Sequence, residues 1–153
     1  MKSLNNLVPF SLVLAFALAP APVHAQTVEE KMQRKEEDEF LQKAVTAANE
    51  ACKSKIAGAG DWKTFNGKLK NGGLHVSTNC GQAIEGLQSL CNGADDEIRG
   101  VVRKGIKTIQ CRGTAEETVL ELKGTTLVIT TSVDQKRTGV NYFAKQFLMK
   151  NLK

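Results

Sequence analysis

Four cysteines, Cys52, Cys80, Cys91 and Cys111, constrain this chain more than anything else in it. If they pair, a small core is enough to hold a fold; if they stay reduced, it must stand on packing alone. The N-terminus decides between these. A short start with one cation, Lys2, precedes the almost wholly apolar run Leu7–Ala19. That run is shorter than the roughly 20 residues that cross a bilayer. Pro20 and Pro22 follow, and Val23-His24-Ala25 supplies small residues at the cleavage positions. Charged start, apolar middle and small-residue end make a secretory signal over residues 1–25, with Gln26 expected as the first mature residue. The destination is then periplasmic or secreted, where four cysteines read as two disulfides.

A four-thiolate zinc site needs close pairs two to four residues apart, and the gaps here are far longer, so no metal is expected. Redox-active thiols favour C-x-x-C, which is absent. Three pairings are open to four cysteines. A helix over 81–90 would hold Cys80 and Cys91 about 16 Å apart at 1.5 Å per residue, beyond the roughly 7 Å that a bridge spans. The expected pairs are Cys52–Cys80 and Cys91–Cys111.

Residues 26–39 form a highly charged arm or helix extension, acidic around Glu29-Glu30 and Glu36-Glu37-Asp38-Glu39. From Phe40 to the C-terminus the chain reads as one α+β domain of ordinary length. Leu41, Ala44, Val45, Ala48, Cys52 and Ile56 recur at helical spacing and predict a long first helix that stops at Gly58 and Gly60. Asn66-Gly67 and Asn71-Gly72-Gly73 are turn signals between short strands, and Leu74–Thr78 alternates as a half-buried strand would. Two short central helices follow. One runs from Cys80 to Cys91, capped by Asn79; the other starts at Asp95-Asp96-Glu97, buries Ile98, Val101 and Val102, and stops at Gly105. Ile106–Cys111 is expected as a strand, and the β-rich runs 118–122 and 127–133 as a hairpin through Lys123-Gly124-Thr125. Leu120 and Leu122 should face the same core as Leu127 and Ile129. Val140, Phe143, Phe147 and Leu148 predict a closing helix over the sheet. Without a βαβ rhythm, the sheet is expected to be small and antiparallel.

Catalytic patterns are sparse. The mature chain has one histidine, His75, with no partner that the sequence identifies, and neither G-x-S-x-G nor H-E-x-x-H occurs. Asp61, Glu85, Asp95, Asp96, Glu97, Glu116, Glu117 and Asp134 offer carboxylates, as most proteins do; Asp95-Asp96-Glu97 reads as helix-start charge. Ala57-Gly58-Ala59-Gly60 lacks the strand and helix that frame a phosphate loop. The net charge of +5, about +4 without Lys2, is not clustered with aromatics as a nucleic-acid interface would be. The expectation is therefore an exported, non-enzymatic protein of the bacterial envelope, without cofactor, that binds another protein as an inhibitor or immunity factor does. Trp62, Asn71 and His75 are its candidate contact residues. No nucleic acid is expected as a partner, and no second apolar run would embed the mature chain in a membrane. A small hydrolase using paired carboxylates and a structural or assembly protein of the periplasm are the alternatives.

Overall fold

The computed structural model describes residues 28–65, 76–113, 117–132 and 138–152. The order along the chain is α1 (Val28–Cys52), β1 (Ala57–Asp61), a 3-10 turn (Trp62–Phe65), α2 (Val76–Cys91), α3 (Asp96–Gly105), β2 (Thr108–Gly113), β3 (Val119–Lys123), β4 (Thr126–Thr131) and α4 (Val140–Asn151). Among the described residues this is an α+β arrangement of four helices, a small sheet with a β-hairpin, and two disulfides.

The strand order is β1-β2-β4-β3. The hairpin β3–β4 is antiparallel, and Leu120 opposite Ile129 and Leu122 opposite Leu127 share one face as expected. The sheet as a whole corrects the antiparallel expectation: β1–β2 and β2–β4 are parallel pairs. Two helices, α2 and α3, form the crossover from β1 to β2, so the βαβ step is hidden by its length.

The new strand β1 occupies the Ala-Gly-Ala-Gly segment that the sequence reads as a helix stop. Helix α1 ends earlier, at Cys52, where Lys53 takes a left-handed φ of 50°. The glycine then serves close packing. A Cβ on Gly58 would stand 2.8 Å from Val45 Cγ2 on α1. Gln42 Nε2 donates to Gly58 O at 2.9 Å, and Asn49 holds both Ile56 N (2.7 Å) and Ile56 O (2.9 Å) through its amide. These α1 side chains occupy outward backbone groups at the sheet edge, where an open strand would invite further pairing.

Helix α2 forms the centre of the helical layer. It begins at Val76, so Val76–Thr78 are helical where a strand was expected; Leu74 and His75, with both Asn-Gly turns, lie outside the described residues. Asn79 is consequently inside the helix and not its cap. It is buried and donates Nδ2 to Ser132 O at 3.2 Å, tying α2 to the end of β4. Cys80, Ala83, Ile84, Leu87 and Cys91 pack into one core with Leu41, Val45 and Ala48 of α1 and Ile109, Leu127 and Ile129 of the sheet. Phe40 meets Gly81 near one end of the α1–α2 contact and Cys52 meets Cys91 at the other, so the two helices run in the same sense.

Helix α4 was expected over the sheet; it lies chiefly against α2. Gly86 permits this, because a Cβ there would stand 2.4 Å from Asn141 O and 2.8 Å from Ala144 Cβ. Val140, Ala144 and Leu148 are the buried stripe of α4, while Phe143 is left exposed.

The bridges are Cys52–Cys91 and Cys80–Cys111, with Cα separations of 4.9 and 6.2 Å. This corrects both expected pairs, while Cys80, one turn into α2, and Cys91, its last residue, stay unpaired with each other. The parallel course of α1 and α2 puts Cys52 beside the far end of α2 instead of its start, and β2 passes under the start.

Gly86→Ala should destabilise the fold by about 1–3 kcal/mol, the usual range for overpacking. Gly100→Ala, whose Cβ meets only Arg103 Nη2 at 3.7 Å, should stabilise it by roughly 0.5–1 kcal/mol through helix propensity. Urea unfolding of the two variants checks both signs.

Candidate functional site

Polar groups gather where the parallel strands end. Asp61 and Arg112 are opposite each other on β1 and β2, with Oδ2 and Nε 3.6 Å apart. Thr64 Oγ1 donates to Asp61 O at 2.6 Å and accepts from Gly113 N at 3.0 Å, which fastens the 3-10 turn to β2. Thr118 and Thr131 share a hydroxyl hydrogen bond at 3.1 Å. The carboxyl ends of parallel strands are a frequent ligand site, but here the threonine hydroxyls stitch connections to the sheet, while Arg112 Nε meets Asp61 as an ion pair and makes no hydrogen bond.

The carboxylates raised by the sequence are spread over separate surroundings. Asp61 faces Arg112. Asp95 caps α3, accepting from Ile98 N at 2.9 Å, and Asp96 lies 3.8 Å from Lys53 Nζ and 3.7 Å from Arg99 Nη1. Glu85 borders an open hollow with Phe40, Gln82 and Asn141. Glu117 borders another with Val140 and Phe143. Glu116 and Asp134 lie outside the described residues. Among the described residues no group of three or more His, Cys, Asp or Glu side chains could hold a metal ion.

Of the three candidate contact residues, Trp62 opens the 3-10 turn directly after β1. Its side chain, Asn71 and His75 lie outside what the structure describes.

A different site emerges between α3 and α4. Leu90, Ile98, Val101, Val102, Leu148, Met149 and Leu152 line an apolar groove of about 240 Å³. Its floor is fully buried Val102 and Leu148. Its rim is Ile98, 41% exposed, and Met149, 57% exposed. The spacing explains the lining. Ile98, Val101 and Val102 form one face of α3, and Leu148 and Met149 of α4 are continued by the C-cap residue Leu152, at i, i+3 and i+4 steps. Gly105 lets the two helices close at one end, since Leu152 Cδ2 sits 2.6 Å from where a Cβ would be.

The residue spacing alone reads the α3 face as buried and gives Met149 no role. The available signal was Met149 and Leu152 beside Leu148 on α4, a wider apolar stripe than one packed neighbour requires.

The lining is wholly apolar, and the two helices it lies between are rich in cations. Along α3 and α4 stand Arg99, Arg103, Lys104, Lys145 and Lys150 against two acids, Asp96 and Glu97, both in the first turn of α3. Lys145 shares the α4 stripe with Leu148, Met149 and Leu152.

Compared with models of known protein families, with curated proteins and with solved structures, the chain matches none.

Because Ile98 and Met149 are partly solvated, replacing either by Ser should cost less than about 1 kcal/mol. Leu148→Ala, beneath them, should cost about 2–5 kcal/mol. Thermal unfolding of the three variants distinguishes a surface groove from a core seam.

Proposed function

We propose that this chain is an exported, non-catalytic binding protein of the bacterial envelope, acting on another protein in the manner of an inhibitor or immunity factor, with the α3–α4 groove as its contact surface. The observation that carries this reading is the groove itself. Two large apolar side chains, Ile98 and Met149, stand half-exposed over a fully buried apolar floor. An apolar depression with a polar, charged surround is how protein contact sites look. Its volume falls below the roughly 300–1,000 Å³ of pockets that enclose small-molecule ligands, which favours inserted side chains over a metabolite.

Four further points support the reading. The paired cysteines accord with an oxidising compartment. The leader-like residues 1–25 provide the route there. Among the described residues no helix is long and apolar enough to cross a membrane. A frame bridged twice also holds its surface in shape before contact, which lowers the ordering cost of association.

A photo-reactive amino acid at position 149, in the full chain expressed with its own leader, tests this in living cells. A discrete adduct with a second protein from position 149, and none from the exposed far-side position Glu121, is the expected outcome. Equal or absent labelling from both positions would contradict it.

A further inference from the structure

We propose that the groove takes an amphipathic helix from the partner protein, one that buries apolar side chains three or four residues apart and carries carboxylates beside them. This rests on the protein-binding reading and adds the partner's chemistry. The shape points to a helix. The depression lies between two helices, with Ile98 and Met149 on its rim and Val102 and Leu148 beneath. Anchors at i and i+3 or i+4 are how a helix fills such a groove. Strand addition, the other common mode, is disfavoured at β1, where Asn49 and Gln42 already occupy Ile56 N, Ile56 O and Gly58 O.

Charge chooses the class of helix. From Arg99 onward neither α3 nor α4 carries an acidic residue, while both carry cations. The acids before it are confined to the first turn of α3, where Asp96 faces Lys53 and Arg99 and Glu97 stands beside Ile98 on the flank that Lys104 also occupies. Lys145 falls on the lining stripe of α4, and Lys104 lies one turn from Val101 on α3. A helix bearing carboxylates beside its apolar anchors gains attraction from both, and a basic one meets repulsion. An anionic lipid surface would satisfy the charge but not the concavity, because the buried floor lies below the rim. A second copy could offer Val28 and Met32, which are exposed one turn apart on α1. That face of α1 carries Lys31 and Lys35 together with Glu36 and Glu39, and Glu39 is already paired with Lys35, so it presents mixed charge where the groove favours net acid.

The test is an unbiased library of displayed helical peptides, selected on the purified full chain. Enriched sequences should carry apolar pairs three or four residues apart and net negative charge. Their affinity should fall at least about tenfold, as for loss of interface anchors, in the double variant Ile98→Asp, Met149→Asp. It should fall by several-fold in Lys104→Gln, Lys145→Gln, and weaken as salt is raised. Melting curves confirm that each variant is folded. Net basic or neutral winners, or winners indifferent to both double variants, would overturn the proposal. So would binding to phosphatidylglycerol vesicles that depends on Ile98 and Met149, or self-association abolished by Val28→Ser, Met32→Ser. Basic winners that still compete with the position-149 adduct would remove the acidic helix and leave protein binding standing. No winners and no adduct would remove both.

Discussion

Helix α2 is pinned one turn from its start and at its last residue to two different parts of the molecule, and the remaining structure is arranged around that constraint. Cys80 bonds it to β2 through Cys111, and Cys91 bonds it to the end of α1 through Cys52. Each bridge closes a long segment, with sequence separations of 39 and 31 residues. In the chain-entropy account, loops of that length stabilise a fold by about 4 kcal/mol apiece. The loops overlap, so the two contributions are not additive. What they share is α2, whose Ala83, Ile84 and Leu87 are buried between the bridged cysteines.

Close packing follows from the pinning. With α1 fixed to α2 at Cys52, its Val45 presses on β1, and only a glycine at position 58 leaves room. On the other flank, Gly86 brings α4 against α2 near enough for backbone to touch backbone. The end of α4 then reaches α3 over Gly105, and the interval between the two helices becomes the apolar groove. The surface offered to a partner is thus a consequence of how α2 is held, several residues away from the sulfurs themselves.

Much of this was legible in the residues. The apolar stripe of α1, the acidic start of α3, the hairpin through Gly124 and the stripe of α4 are local patterns, set by periodicity and caps. What escaped depends on long-range contact. Ala57–Asp61 has no strand propensity worth the name; it is a strand because α1 and β2 flank it. Asn79 looks like a cap, yet its amide is used against Ser132, distant in sequence. The bridge partners turned on whether α1 and α2 run in the same or opposite senses, which no spacing within either helix encodes. The groove escaped for the same reason. Ile98 and Met149 belong to different helices, and only their meeting leaves both half-covered.

The pairing of the sulfurs tests the account most directly. Proteolysis of the native, unreduced protein, followed by mass spectrometry of the linked peptides, should join the peptide containing Cys52 to that containing Cys91, and Cys80 to Cys111. Peptides joining Cys52 to Cys80 and Cys91 to Cys111, or four free thiols, would contradict it.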